Sequence, residues 1–363
     1  ATTLKSCASG DNCPAGAVYF SKARAAGGGE SRQYFDMLGR VMRQSSVGFD
    51  GQWINTDTEF DSLGRVLRKS EPSVSGASDW TTMSYDILGR ATQVTLPDNS
   101  TGTTAYNGLG TVSTNALGQS KTEIKNALNE TIQVTDHLGG DAYYHYDAQG
   151  NMTQLIDNAG NTTTLTYDVL GRKTAMNDPD KGNWVYTYNG FGELISQTDA
   201  KGQQSVMRYD RMGRMTGRTD YQSDGTIEGD TTWRYGTATN GLWQLDYVED
   251  TISGYLKVIE YDKRGRVSKT VTSLGIAGSD GDHYEKVTYD QYGRIFQVFD
   301  AARDDDSYTN NGVENRYNAH GYQHQLVDAF YIGNQPATIY RDILSMDARG
   351  NVTSEMLGNN VTT

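Results

Sequence analysis

The chain has 363 residues, a formal net charge of −13 and a hydrophobic content of 36%, with 41 Gly, 24 Tyr and only five Pro. The acidic balance leaves no basic face to neutralise phosphates, which argues against nucleic acid or an anionic membrane surface as a partner. No apolar run approaches the roughly 18 residues that span a bilayer, and no charged-then-apolar leader opens the sequence. Gly, Thr, Val and Tyr dominate, and helical periodicity never lasts beyond about 8 residues, so the composition predicts an all-β chain of short strands joined by glycine turns.

Residues 1–33 form an N-terminal segment that precedes the repeated part of the chain. It begins at Ala1 rather than Met, as expected of a processed or excised piece of something longer. Cys7 and Cys13 lie six residues apart in a glycine-containing stretch and make a candidate disulfide loop, which would imply an oxidising compartment; free thiols are the alternative. No His lies nearby in sequence, so a zinc site lacks its other ligands. Gly27-Gly28-Gly29 has neither a P-loop Lys nor a following helix.

From residue 34 to 363 one phrase returns: an aromatic, then Asp or Asn, two variable residues, Gly, and often Arg. It appears as Phe35-Asp36…Gly39-Arg40, Phe60-Asp61…Gly64-Arg65, Tyr85-Asp86…Gly89-Arg90, Tyr106-Asn107…Gly110, Tyr146-Asp147…Gly150-Asn151 and Tyr167-Asp168…Gly171-Arg172. It continues as Tyr188-Asn189…Gly192-Glu193, Tyr209-Asp210…Gly213-Arg214, Tyr261-Asp262…Gly265-Arg266, Tyr289-Asp290…Gly293-Arg294 and Tyr317-Asn318…Gly321. Degenerate copies at Lys125-Asn126, Tyr235-Gly236 and Met346-Asp347 bring the count to fourteen. Between Tyr146 and Tyr209 the aromatic recurs every 21 residues, and the longer periods elsewhere place their extra residues in polar segments such as 73–79, 275–282 and 304–312, as hairpin-end loops do. A fainter phrase follows ten residues later, at Asp136, Asp157, Asp178, Asp199 and Asp220, so each unit carries two turns and two strands of about six or seven residues.

Asp or Asn opening a type I turn accepts hydrogen bonds from the amides that follow, and Gly three residues on takes the left-handed conformation that closes a bulged hairpin. The aromatic ends the incoming strand, so the rings should stand in rows across the sheet, while Arg opens the outgoing strand beside the turn carboxylate and within reach of a neighbouring ring. Alternation such as Trp184, Tyr186 and Tyr188 against Val185 and Thr187 predicts one aromatic face and one Thr-rich face. Fourteen units of two strands make a ribbon about 130 Å long at about 4.8 Å per strand, too long to stay flat against its own twist. The ribbon is expected to coil or close.

Tyr-Asp-x-x-Gly-Arg at this spacing, with seven Asp-x-x-Gly-Arg copies, resembles the YD-repeat, or rearrangement-hotspot (RHS), family. The resemblance implies a β-ribbon spiralling into a hollow, barrel-like shell. In bacterial members, including the B and C components of insecticidal toxin complexes and polymorphic toxins of type VI secretion, that shell encloses a C-terminal toxin; in animal teneurins a similar barrel serves adhesion. The implied partners are therefore further RHS shell segments, a toxin cargo and a secretion or delivery complex, in a secreted or cell-surface bacterial setting. The Asp-Pro-containing segment at which toxin-type members cut themselves is not found, since Asn177-Asp178-Pro179-Asp180 sits mid-repeat and reads as a turn. The variable toxin domain is not found either.

No catalytic set, cofactor motif or metal site emerges, so a structural module rather than an enzyme is expected. His320 and His324 could share a strand face but sit at a turn, and Asp304-Asp305-Asp306 before Asn310-Asn311-Gly312 lacks the ligand spacing of a calcium loop. Six Asn-x-Ser/Thr sequons, at Asn99, Asn129, Asn151, Asn161, Asn351 and Asn360, suit a chain rich in Asn and Thr. The competing function is a cell-surface adhesin or carbohydrate-binding module presenting exposed Tyr and Trp rows.

Overall fold

The structure is a computed structural model that describes residues 2–8, 13–275, 281–303, 312–330, 337–358 and 361–362, with the backbone alone for 300–303. The expected acidic run at Asp304-Asp305-Asp306, with Asn310 and Asn311, and the sequon at Asn360 lie outside the described residues. Among those that are described there is no helix, and thirty strands of five to nine residues form one antiparallel sheet. Each strand pairs with its neighbours in sequence, from β1 (Thr2–Ser6) with β2 (Tyr19–Arg24) to β29 (Ile339–Met346) with β30 (Val352–Leu357). The 1–33 segment supplies β1, β2 and the start of β3 (Glu30–Phe35), and β2 pairs with β3 over six residues, continuous with the ribbon that follows.

The ribbon has two unlike edges. One carries the Tyr-Asp turns, as between β7 (Trp80–Tyr85) and β8 (Ala91–Thr95) or between β15 (Thr162–Tyr167) and β16 (Lys173–Asp178). The other carries the second turns, as at 157–160 between β14 (Met152–Ile156) and β15. The Tyr-Asp edge has one surplus residue in the outgoing strand beside each turn: Tyr85 opposes Ala91 while Ser84 opposes Gln93, and the same slip recurs at Tyr146, Tyr167, Tyr188 and Tyr209. Bulges bend a strand pair and increase its twist. Placed at the same edge of successive hairpins, they bend the ribbon repeatedly in one sense, and it coils.

The coil closes on itself after 23 strands. The turn after β2 meets the turn after β25 (His283–Tyr289), and the turn after β4 (Val41–Val47) meets that after β27 (Gly312–Tyr317). The turn after β6 (Val66–Ser70) meets the one after β29. At about 4.8 Å per strand, 23 strands make a circumference of about 110 Å and a backbone diameter of about 35 Å, wider if the strands tilt. A single layer around such a space has little interior of its own. The buried apolar residues described are Phe20, Tyr34, Met207, Tyr261, Phe299, Val327 and Ile343, and they concentrate where the coil overlaps or where a loop folds back.

The tight Tyr106-Asn107…Gly110 copy departs from the expected five-residue turn. Asn107 at the end of β9 (Thr101–Asn107) pairs directly with Gly110 at the start of β10 (Gly110–Thr114), leaving a two-residue hairpin of Gly108 and Leu109 with Gly108 at φ +59. The degenerate Tyr235-Gly236 copy departs the other way and expands into a loop over 236–244.

Candidate functional site: the Tyr-Asp edge and its seam

In each of the seven Asp-x-x-Gly-Arg turns the two carboxylate oxygens have separate tasks. Oδ1 accepts the backbone amides two and four residues on at 2.8–3.0 Å, as in Asp168 with Leu170 and Arg172. Oδ2 accepts the Arg Nε at 2.6–2.9 Å, in Arg40, Arg65, Arg90, Arg172, Arg214, Arg266 and Arg294. The bonds hold these carboxyls below the usual range. The Arg266 side chain leads in lowering Asp262 to about 2, and the Arg214 side chain leads at Asp210. At Asp86 and Asp168 the backbone amides of Arg90 and Arg172 lead.

The same Arg lies over the aromatic of the following unit. Guanidinium-to-centroid distances run from 3.9 to 5.0 Å in Arg40 over Phe60, Arg65 over Tyr85, Arg90 over Tyr106, Arg172 over Tyr188, Arg214 over Tyr235, Arg266 over Tyr289 and Arg294 over Tyr317. Arg thus stands between successive rings of the row. Equivalent strands are two apart, about 9.6 Å, too far for ring to meet ring, and the planar cation fills the gap.

The tyrosine hydroxyls explain why Tyr is the usual aromatic. Ten of them, on Tyr85, Tyr106, Tyr146, Tyr167, Tyr188, Tyr209, Tyr235, Tyr261, Tyr289 and Tyr317, donate to the backbone carbonyl of the first residue after the previous turn. For Tyr167 the acceptor is Met152 O at 2.8 Å. The pairing between β14 and β15 stops at Gln154 with Thr164, so toward the Tyr-Asp edge these two strands diverge beyond that pair. The phenol hydroxyl bridges the gap between them.

Where Glu or Asn replaces Arg, the turn residue and the residue four on still make a complementary donor–acceptor pair. Asn126 donates Nδ2 to Glu130, and Asn189 does so to Glu193, while Asp147 and Asp347 accept from Asn151 and Asn351. A donor at the turn thus faces an acceptor four residues on, or the reverse. Cys7 and Cys13 are joined by a disulfide in the connection from β1 to β2. Asp178 accepts the amides of Asp180 and Lys181 within its turn.

The Tyr-Asp edge is also the contact surface of the coil. Tyr292, third residue of its turn, lies against Gly27, whose φ is +69 and where a Cβ would fall 2.3 Å from the ring. Arg294 Nη1 donates to Gly27 O at 2.6 Å. One hairpin further, Asn318 Nδ2 donates to Phe49 O at 2.9 Å and Tyr322 OH to Val47 O at 3.1 Å, while the His320 ring sits against Gly51. His320 is thus a seam residue. One hairpin further again, Arg349 Nε meets Glu71 Oε2 at 3.3 Å. No cluster of His, Cys, Asp and Glu suited to a metal occurs among the described residues.

The long-range seam is what residue-by-residue reading misses. A signal for it exists, in the third residue of each turn. That position is Leu38, Leu63, Leu88, Leu128, Gln149, Leu170, Phe191 and Met212 in earlier copies, then Arg264, Tyr292, His320 and Arg349 in the last four. Of these, Tyr292, His320 and Arg349 are the ones that meet the seam.

A ribbon of antiparallel hairpins whose turns carry an Asp-Arg clamp and a tyrosine reaching back one unit defines a class, the spiral hairpin-repeat β-proteins. Within it, the RHS Repeat family model matches residues 126–162, 146–182 and 188–227, which supports the YD/RHS-repeat family for this stretch of the ribbon. No curated protein matches the chain in sequence. Among solved structures it is similar to the TcdB2-TccC3-Cdc42 crystal structure (TM-score 0.78, 16% identity, 97% of this chain, 21% of that one). It is likewise similar to TcdB2-TccC3 without its hypervariable C-terminal region (TM-score 0.77, 15% identity, 95% and 20%). The Tc holotoxin pore of Photorhabdus luminescens matches in the same way (TM-score 0.76, 15% identity, 95% and 20%). At these identities the likeness is one of fold, and the chain spans about a fifth of the length of those structures.

Proposed function

We propose that the chain is a wall segment of a hollow shell that encloses a C-terminal toxin or effector for secretion or delivery. The observation that carries this reading is the closure of the ribbon after 23 strands, which surrounds a space instead of building a packed core. Residues 34–363 would be the repeat array of a larger shell, with 1–33 leading into it. The fold shared with Tc toxin complexes supports the same reading, as does the use of nearly every repeat residue in holding the wall. On this reading the side chains of the wall do no chemistry, and its partners are further shell segments, the cargo and a delivery complex outside the bacterial cell. No helix among the described residues is long and apolar enough to cross a membrane.

Cross-linking mass spectrometry on the product of the complete gene tests the proposal. Links between wall and cargo should fall on one face of the sheet only. Links distributed over both faces, or a gene product with no domain beyond its repeats, would contradict it.

A further inference from the structure

We infer that a groove on one face of the sheet, walled by Trp184 and anchored by Asp220, is a binding site for a neutral saccharide. The strand register builds it. β17 (Gly182–Tyr188), β18 (Leu194–Thr198), β19 (Gln204–Tyr209), β20 (Met215–Tyr221) and β21 (Ile227–Tyr235) run side by side. Across them Tyr186 opposes Gln197, Gln197 opposes Ser205, Ser205 opposes Asp220 and Asp220 opposes Gly229. Side chains two apart in a strand share a face, so Trp184, Gln197, Ser205, Arg218, Asp220 and Gly229 all stand on the same side. Together they line a groove of about 380 Å³, within the roughly 300–1,000 Å³ of small-ligand sites.

The two ends of the groove offer different chemistry. Trp53, Trp80 and Trp243 each lie under an arginine, Arg32, Arg68 and Arg214 respectively. Trp184 instead stacks on Tyr186, with ring centroids 6.3 Å apart and planes 16° from parallel, and its indole N–H donates to Lys181 O at 3.1 Å. Lys173 Nζ lies 4.3 Å from the Tyr186 centroid, so the stack takes its cation at Tyr186 and leaves the indole as the end that walls the groove. An indole face offers the C–H face of a pyranose ring broad dispersion contact. At the other end, Arg218 Nε, Arg218 Nη2 and Ser205 Oγ converge on Asp220 Oδ1 at 2.9, 2.9 and 2.5 Å. None of these bonds uses Oδ2, and Gly229 has no side chain to fill the space before it: a Cβ there would stand 3.6 Å from that oxygen. Ser205 is buried at the floor and fixes the carboxylate. Asp220 Oδ2 accepts from one sugar hydroxyl, while Arg218 Nη1 and the Gln197 amide donate to its neighbours.

The Arg218 guanidinium is neutralised within the site by Asp220, and the chain carries a net charge of −13, so the ligand is a neutral sugar and an acidic one is repelled. The groove opens from a face of the sheet. Where the coil already overlaps, turns meet tip to tip, and a face groove of about 490 Å³ past Ser21, Gln33, Gln44 and Thr56 stays open with Ala348 of the overlapping turn at its rim. Further ribbon laid against the turns at 199–202 and 222–226 would leave the Trp184 groove open in the same way. The site does not depend on what the shell encloses.

The test is saturation-transfer NMR on the full chain with cellobiose, lactose and maltose, each at up to about 10 mM, where millimolar affinities register. At least one of the three should receive saturation, strongest at its ring C–H protons. Trp184→Ala should abolish the transfer, and Asp220→Asn, which keeps the shape of the side chain, should weaken binding about tenfold, as expected for a lost charged hydrogen bond. Trp80→Ala should change nothing, because Arg68 already covers that ring. No transfer to any of the three sugars, transfer undiminished in Trp184→Ala or in Asp220→Asn, or an equal loss in Trp80→Ala would each overturn the inference.

Discussion

Tyr167 is bound at both ends of its ring environment. Its hydroxyl donates to the Met152 carbonyl at 2.8 Å, and its pKa is raised by burial. Replacing it with Phe keeps the ring and removes the one donor that this carbonyl has toward the next unit. Tyr167→Phe should cost about 1 kcal/mol, measured as a shift of the urea midpoint, because a part-buried hydrogen bond between units is lost. An unchanged midpoint would mean that water replaces the phenol at no cost. Asp262 gives the pH dependence. A carboxyl held at about 2 by the Arg266 side chain, against about 3.9 in the unfolded chain, binds fewer protons folded than unfolded between those values. Its stabilisation is complete above about pH 4 and is lost as pH falls through about 2. Carbon-detected NMR titration should find its midpoint near 2, and Asp262→Asn should make acid unfolding shallower; a midpoint near the ordinary Asp value would contradict the clamp.

At the scale of the hairpin, the turns were legible in the sequence because they are local. Asp168 needs only the amides of Leu170 and Arg172 and the left-handed Gly171, all within four residues, so Asp-x-x-Gly can be read without knowing what surrounds it. Two features were legible only in outline, for the same reason in reverse. That the hairpin bulges and that Arg reaches a ring follow from the motif, but which residues slip opposite Tyr167 depends on how two strands pair, and that Arg172 covers Tyr188 depends on a strand two positions away. The Asn107 copy shows the limit of the motif: its Gly stands three residues on, yet the chain turns earlier at Gly108. Gly160 isolates the backbone contribution, since it has φ +82 and open space around its Cβ position. Gly160→Ala should cost about 1–2 kcal/mol from the left-handed conformation alone, whereas Gly160→Asn should cost less, as Asn99 and Asn129 already occupy such positions at φ +66. Thermal unfolding of the two variants separates them; equal losses would show that space, and not backbone conformation, sets the requirement.

At the scale of the whole molecule, the repeat explains the ribbon but not its circumference. Coiling was foreseeable from length and twist, and the shell shape only from the family resemblance. The period of 23 strands emerges from many small bends summed around the sheet, and an odd count sets each Tyr-Asp turn of the overlap against a second turn. The seam is sparse, with Arg294 on Gly27, Asn318 on Phe49, Tyr322 on Val47 and Arg349 on Glu71, so closure depends on curvature as much as on attraction. Both cysteines are paired in the disulfide, which leaves introduced thiols free for selective labelling. Spin labels at Asp50→Cys and Ala319→Cys, on the exposed tips of two turns that meet at the seam, measure that closure directly by pulsed electron double resonance. Closure after 23 strands predicts a separation on the order of 20 Å, the reach of two labels on touching turns, whereas a ribbon running on without closing would hold them about 110 Å apart and give no dipolar signal.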